Sequence, residues 1–147
     1  GFGLPAAMGA QLGLPRSRVI CITGDGSIQM NIQEMATIRE NDLPVKVLLL
    51  DNSCLGMVRQ MQEQFHDERY SQTLFTGNPD FVALACAYGW SGRKAETPSE
   101  LEATMRQWLA DEEPSLLWIP ITSDEDVYPK DACDGSAKGV SDLRDEE

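Results

Sequence analysis

Two short polar stretches, Gly24-Asp25-Gly26-Ser27 and Asp51-Asn52-Ser53, each follow directly on an apolar run, VICIT in one case and VKVLLL in the other. A carboxylate and an amide carbonyl are hard oxygen donors. Asp25 and Asn52, together with a backbone carbonyl and oxygens of a ligand, make a donor set that suits octahedral Mg²⁺, an ion rarely caged by protein alone. Gly24 and Gly26 lack a Cβ, so backbone N–H groups there can approach a ligand closely. Ser27 is expected to open a helix, and a helix N-terminus attracts anions. A cation site beside an anion site is the chemistry of a diphosphate neutralised by Mg²⁺. A lone GDG is often only a turn with a helix cap. The second polar strand tip is what favours a ligand site. Neither G-x-G-x-x-G nor a Walker lysine motif is present, which disfavours nicotinamide binding and P-loop phosphoryl transfer.

These residues meet only if the chain folds so that both tips lie on one side. Gly3–Leu14 has small and apolar residues at helical spacing, with Pro5 in the first turn, where proline is tolerated. Arg18–Thr23 reads as a short buried strand. Ile28, Ile32, Met35 and Ile38 predict one helix over Ser27–Glu40, ended by the turn NDLP. Val45–Leu50 is a second strand. Gly56–Phe65 predicts a helix with Met57, Val58, Met61 and Phe65 on one side. Arg69–Gly77 is irregular, and a helix is expected to begin at Asn78 with Pro79 at its first position. Trp90–Ala95 reads as a short strand, a helix capped by Ser99 is expected through about Ala110, and Ser115–Ile121 reads as a last strand that Pro120 ends or marks as an edge. Tyr88, Trp90 and Trp108 are expected in the core or an interface, and His66 at the surface.

Alternation of this kind predicts an α/β fold, a three-layer α/β/α arrangement around a parallel sheet. In such sheets the ligand site lies beyond the carboxyl ends of the strands. One right-handed crossover then brings Asp25 and Asn52 together.

The chain of 147 residues is one domain by size. No apolar run approaches the roughly 20 residues that span a bilayer, and no secretory signal opens it. It starts without Met inside a Gly-rich segment, so it reads as a piece of a longer chain. The formal net charge of −12 argues against nucleic acid, which requires a basic patch. From Thr122 onward nine acidic and three basic residues give −6, half of the total within 26 residues. The organisation expected is a ligand-binding domain over residues 1–123 and an acidic, solvated tail over residues 124–147. Four widely spaced cysteines and one histidine make a zinc site or a disulfide framework unnecessary. Reduced thiols in the cytoplasm are the default expectation.

GDGSIQMNIQEMATI followed by LPVKVLLLDNS resembles the GDG…N signature of thiamine diphosphate enzymes. GFGLPAAMGAQLG before it and LGMVRQMQEQFHDERYS after it are similar to the acetolactate synthase family, over Gly1 to about Ile121. The resemblance implies a thiamine-diphosphate-binding fold with Asp25, Asn52 and the backbone oxygen of Cys54 as Mg²⁺ ligands. It implies diphosphate contacts from Gly24, Gly26 and Ser27, and a segment starting with Gly56, Met57 and Val58 that closes over cofactor and substrate. Val58 and Met61 would border the pocket for the second 2-oxoacid. Met61 departs from the family's usual Trp, which predicts a wider pocket, and Asp51 departs from the Asn of many superfamily members.

The whole enzyme implied would decarboxylate pyruvate on thiamine diphosphate and join the hydroxyethyl group to a second 2-oxoacid, in branched-chain amino acid biosynthesis. The glutamate that activates the cofactor would lie in a separate N-terminal domain and any FAD mostly in a middle domain. This chain alone would then be inactive, holding no catalytic residue of its own. Partners implied are 2-oxoacids, those missing domains, a homodimer or higher oligomer and a regulatory subunit. The location would be the cytoplasm, or an organelle after removal of a targeting segment. Alternatives are another thiamine-diphosphate-dependent decarboxylase or carboligase, and a non-catalytic subunit-contact module. Apolar surface from GFGLPAAMGAQLG is expected to favour self-association.

Overall fold

The computed structural model describes residues 1–123. The acidic tail expected over 124–147 lies outside the described residues. The elements in chain order are α1 (Gly3–Gly13), β1 (Ile20–Gly24), α2 (Asp25–Gln29), α3 (Glu34–Glu40), β2 (Lys46–Asp51), α4 (Gly56–Phe65), α5 (Phe81–Ala87), β3 (Ser91–Lys94), α6 (Pro98–Ala110) and β4 (Ser115–Pro120). The four strands form one sheet in the order β1-β2-β4-β3, and every neighbouring pair is parallel. Gly24 lies opposite Leu50, and Asp51 opposite Pro120. The register therefore puts the carboxyl ends of β1, β2 and β4 at one level, as the crossover rule requires.

The core lies mostly on one face of this sheet. Leu4 and Ala7 of α1, Met35 and Ile38 of α3, and Phe81 and Ala85 of α5 pack with Cys21, Val47, Leu49 and Leu116 of the strands. Burial of such side chains is worth roughly 1.5–3 kcal/mol each. Helix α5 approaches β3 so closely that a Cβ at Gly92 would come within 3.0 Å of the Val82 carbonyl oxygen. The second face is covered by α6, where Trp108 and Leu117 are buried with Ala95. Over β1 that cover is missing: Ile20 and Ile22 are 43% and 65% exposed. The buried strand expected at Arg18–Thr23 is thus an edge strand, starting at Ile20 and buried on one face only.

The single helix expected over Ser27–Glu40 is two helices. Between them Met30, Asn31, Glu34, Met35 and Ala36 donate to carbonyls three residues back, the tighter winding of a 3₁₀ turn. Asn31 turns its side chain to the Gly1 carbonyl, at 2.7 Å, instead of serving the helix, as short amides commonly do. The helix expected to begin at Asn78 begins at Phe81. Asp80 caps it, its Oδ1 accepting from the Val82 and Ala83 N–H groups at 2.9 Å. Pro98, with Thr97 extended before it, opens α6 in place of a Ser99 cap. Trp90 and Trp108 are in the core as expected.

Helix α4 turns the apolar stripe read in its sequence outward. Met57, Val58, Met61 and Phe65 are all exposed, while the polar Gln60 is buried.

Candidate functional site

The carboxyl ends of β1 and β2 open into a cleft of about 540 Å³. Its lining includes Gly24, Asp25, Gly26 and Ser27 from one tip, Asn52 and Cys54 from the other, and Gly56, Met57 and Val58 from the start of α4. Met61, one turn further along the exposed stripe, is not among the lining residues. Ile22 and Ile121 complete an apolar wall.

Asp25 is 1% exposed, at the first position of α2, with Gly24 extended before it. Helix α2 therefore opens at Asp25 and not at Ser27. Its first N–H groups have no partner within the helix. A Cβ on Gly24 would meet nothing closer than the Leu50 carbonyl oxygen at 3.8 Å. That glycine is not demanded by packing within the chain, which leaves its open side free for a ligand. Gly26 differs: a Cβ there would strike Leu55 at 2.9 Å and Phe75 at 3.0 Å. Gly56 is tied to the site directly, because its Cβ would fall 2.9 Å from the Asn52 amide.

The turn after β2 brings the Asn52 amide and the Cys54 carbonyl to the Asp25 side of the cleft. Ser53 takes φ +54°, a left-handed backbone that is uncommon outside glycine. Asp51 Oδ1 accepts from the Ser53 N–H at 3.0 Å and closes the turn. One end of the Asn52 side-chain amide then stands 3.2 Å from Asp25 Oδ1 and 2.9 Å from the Cys54 carbonyl oxygen. If that end is the nitrogen, it donates to both oxygens. If it is the oxygen, it accepts from the Cys54 N–H at 3.3 Å and faces two further oxygens, an arrangement that a shared cation makes favourable. Mg²⁺ holds oxygens at about 2.0–2.1 Å in an octahedron, which sets adjacent ligands about 3 Å apart. The donor set and its spacing fit that ion. Among the described residues no cluster of three His, Cys, Asp or Glu side chains offers a metal site, so any cation here is held by carboxylate, amide and backbone oxygens together.

Electrostatics point the same way. Asp25 and Asp51 are both buried, and no Lys or Arg among the described residues forms an ion pair with either. Burial pushes the Asp25 carboxyl above its ordinary range. A hydrogen bond from Asn78 opposes this, the nearby Asp51 carboxylate adds to it, and the Gly26 N–H opposes it again. A buried carboxylate without a counter-charge is unfavourable until a cation arrives.

Asn78 is a site residue that sequence reasoning assigned only to a helix start. Its Nδ2 donates to Asp25 Oδ2 at 2.6 Å and to Asp51 Oδ1 at 3.0 Å. Trp118 Nε1 donates to Asp51 Oδ2 at 3.0 Å. His66 follows the end of α4 in an exposed stretch, away from this cleft.

Fold and cleft together define a parallel α/β domain with a cleft at its strand tips that Asp25 and Asn52 line. The sequence profile of the family "Thiamine pyrophosphate enzyme, C-terminal TPP binding domain" matches residues 1–119, and the chain belongs to that family. It is 49% identical over 129 residues to the acetolactate synthase isozyme 2 large subunit of Escherichia coli (strain K12), which covers 88% of this chain and 24% of that protein. It is 47% identical over 132 residues to the isozyme 3 large subunit of the same organism, covering 88% and 23%. It is 45% identical over 130 residues to the acetolactate synthase large subunit of Parasynechococcus marenigrum (strain WH8102), covering 88% and 21%. The chain thus spans about a quarter of the length of these curated relatives.

Proposed function

We propose that this chain is the cofactor-gripping part of an acetolactate synthase large subunit, which converts pyruvate and a second 2-oxoacid to an acetohydroxyacid. The observation that carries this reading is the Asn52 amide standing 3.2 Å from Asp25 Oδ1 and 2.9 Å from the Cys54 carbonyl oxygen, at two adjacent strand tips. Asp25, Asn52 and the Cys54 carbonyl would hold Mg²⁺, while Gly24, Gly26 and Ser27 would offer N–H groups to the diphosphate. Bound thiamine diphosphate would supply the chemistry of decarboxylation and carbon–carbon bond formation. The chain's own residues bind the charged end of that cofactor, neutralise it and keep its cleft apolar through Ile22, Met57, Val58 and Ile121.

Met57 and Val58 line the cleft where a cofactor ring or substrate would lie, and Met61 continues the same stripe toward whatever covers it. The narrower reading, that Met61 widens the pocket of the second 2-oxoacid, rests on its departure from the family's Trp. Exposure of the α4 stripe supports a partner domain or subunit lying across the cleft. An activating glutamate and any FAD site would belong to that remainder of the enzyme.

The test is made on the whole enzyme that contains this chain. Calorimetry with thiamine diphosphate should show binding that requires Mg²⁺, and incubation with pyruvate should yield acetolactate. Acetaldehyde as the main product would move the protein to a decarboxylase branch. Absence of cofactor binding in the whole enzyme would favour a non-catalytic module.

A further inference from the structure

We propose that Asn78 is a positioning residue for the cation site, binding one oxygen of Asp25 so that the other is presented to the cation. This rests on the reading of Asp25, Asn52 and Cys54 as a Mg²⁺ site. Asn78 stands 53 residues from Asp25 and 27 from Asp51 in sequence, in the loop before α5. Its Nδ2 places one hydrogen bond on each carboxylate, at 2.6 Å and 3.0 Å. The orientation of its amide is fixed from the other end, where Gln29 Nε2 donates to Asn78 Oδ1 at 3.2 Å and to the Asp25 carbonyl at 3.0 Å.

The result is a division of labour between the two oxygens of Asp25. Oδ2 belongs to Asn78, and Oδ1 faces the Asn52 amide, which itself stands 2.9 Å from the Cys54 carbonyl oxygen. Asp51 is held out of the cation's way, its Oδ1 also taken by Ser53 and its Oδ2 by Trp118. The Asn78 loop is itself tied to the turn that carries the other ligands. Leu55 N–H donates to Thr73 O and Phe75 N–H to Ser53 O, both at 2.8 Å. Asn78 therefore moves with that turn as one piece.

This arrangement bears on which ion is bound, because ligation through a single oxygen suits the small octahedral Mg²⁺. A carboxylate free to rotate can close on a cation with both oxygens, a mode that the larger and more adaptable Ca²⁺ accepts. Partners of metal ligands typically change metal affinity by about 10–100-fold when removed.

The experiment uses the whole enzyme stripped of metal, titrated calorimetrically with Mg²⁺ and separately with Ca²⁺ at saturating thiamine diphosphate. Asn78→Ala should weaken Mg²⁺ about tenfold or more and Ca²⁺ distinctly less, so that preference for Mg²⁺ falls. Asn78→Ser, which keeps one hydroxyl donor, should fall between the two. Should the alanine variant fail to fold, the serine variant alone must show the lost preference. Unchanged affinities would overturn the proposal, as would equal weakening for both ions with a lowered melting temperature, the mark of a purely structural part. A wild-type enzyme that binds neither ion would overturn the Mg²⁺ site itself. Wild-type binding with an unaltered preference in both variants overturns only the role of Asn78.

Discussion

Asp25 and Asp51 are two carboxylates buried within reach of a single amide, and no cationic side chain among the described residues pairs with either. That arrangement makes the unliganded site a local weakness of the fold. Two buried like charges repel, so neutralising one of them with an isostere removes both that repulsion and a desolvation cost. Asp25→Asn keeps the side chain's shape, still accepts from Asn78, and turns a donor toward the Asn52 amide. We therefore expect the metal-free variant to melt higher than the wild type, by about 1 kcal/mol in stability. The order reverses when ligands are added. Mg²⁺ with thiamine diphosphate should raise the wild-type melting temperature by mass action and leave the variant unmoved. Melting curves with and without ligands read both halves of the prediction, and an equal ligand response in the two proteins would count against Asp25 as a ligand.

At the level of elements, the strands were legible because their apolar runs and turn residues were unambiguous, and the crossover rule then paired GDG with DNS. Asn78 was not legible. Its neighbours Pro79 and Asp80 carry a strong helix-start signal, and only the long-range contact to two strand tips shows why the start is displaced to Asp80. The α4 stripe was legible as one face but its exposure was not, since periodicity reveals an apolar face without saying what covers it. Lys46 escaped notice inside VKVLLL. It is 2% exposed, at the amino end of β2 opposite Ser115, and its Nζ donates to the Glu113 carbonyl at 2.7 Å. Burial lowers its pKa, Asp111 opposes that, and Arg18 and Arg93 add to it. In a folded state that disfavours the ammonium, this group's stabilising contribution is complete above the unfolded pKa of about 10.4 and is lost as pH falls through the folded one. Stability of the wild type relative to Lys46→Met should therefore rise with pH in the window below about 10.4. Urea unfolding at pH 8 and pH 10 measures it; a difference that stays flat or shrinks would contradict the assignment.

At the scale of the whole molecule, two features pull in opposite directions. A formal charge of −12 keeps copies apart, whereas Ile22, Met57, Met61 and Phe2 are 65%, 67%, 56% and 85% exposed. Ile22 and Met57 share the wall of the cleft, and an apolar patch there marks a contact with another protein surface. The chain spans about a quarter of its relatives' length; on the proposed reading, a further part of the whole enzyme would cover the β1 face and the cleft mouth. This gives one substitution opposite consequences in two settings. In the chain alone, Ile22→Glu changes an exposed position, so unfolding free energy should stay within about 0.5 kcal/mol. Self-association, followed by light scattering at rising concentration and added salt, should diminish because the variant removes apolar area and adds charge. In the whole enzyme the same glutamate would be buried against the covering segment without a partner, and a penalty of several kcal/mol is expected, read as a lowered melting temperature or failure to assemble. Equal tolerance in both settings would mean that the β1 face stays open to solvent in the enzyme. The exposed isoleucines would then be unexplained by assembly, and the cleft would have to be closed by α4 alone.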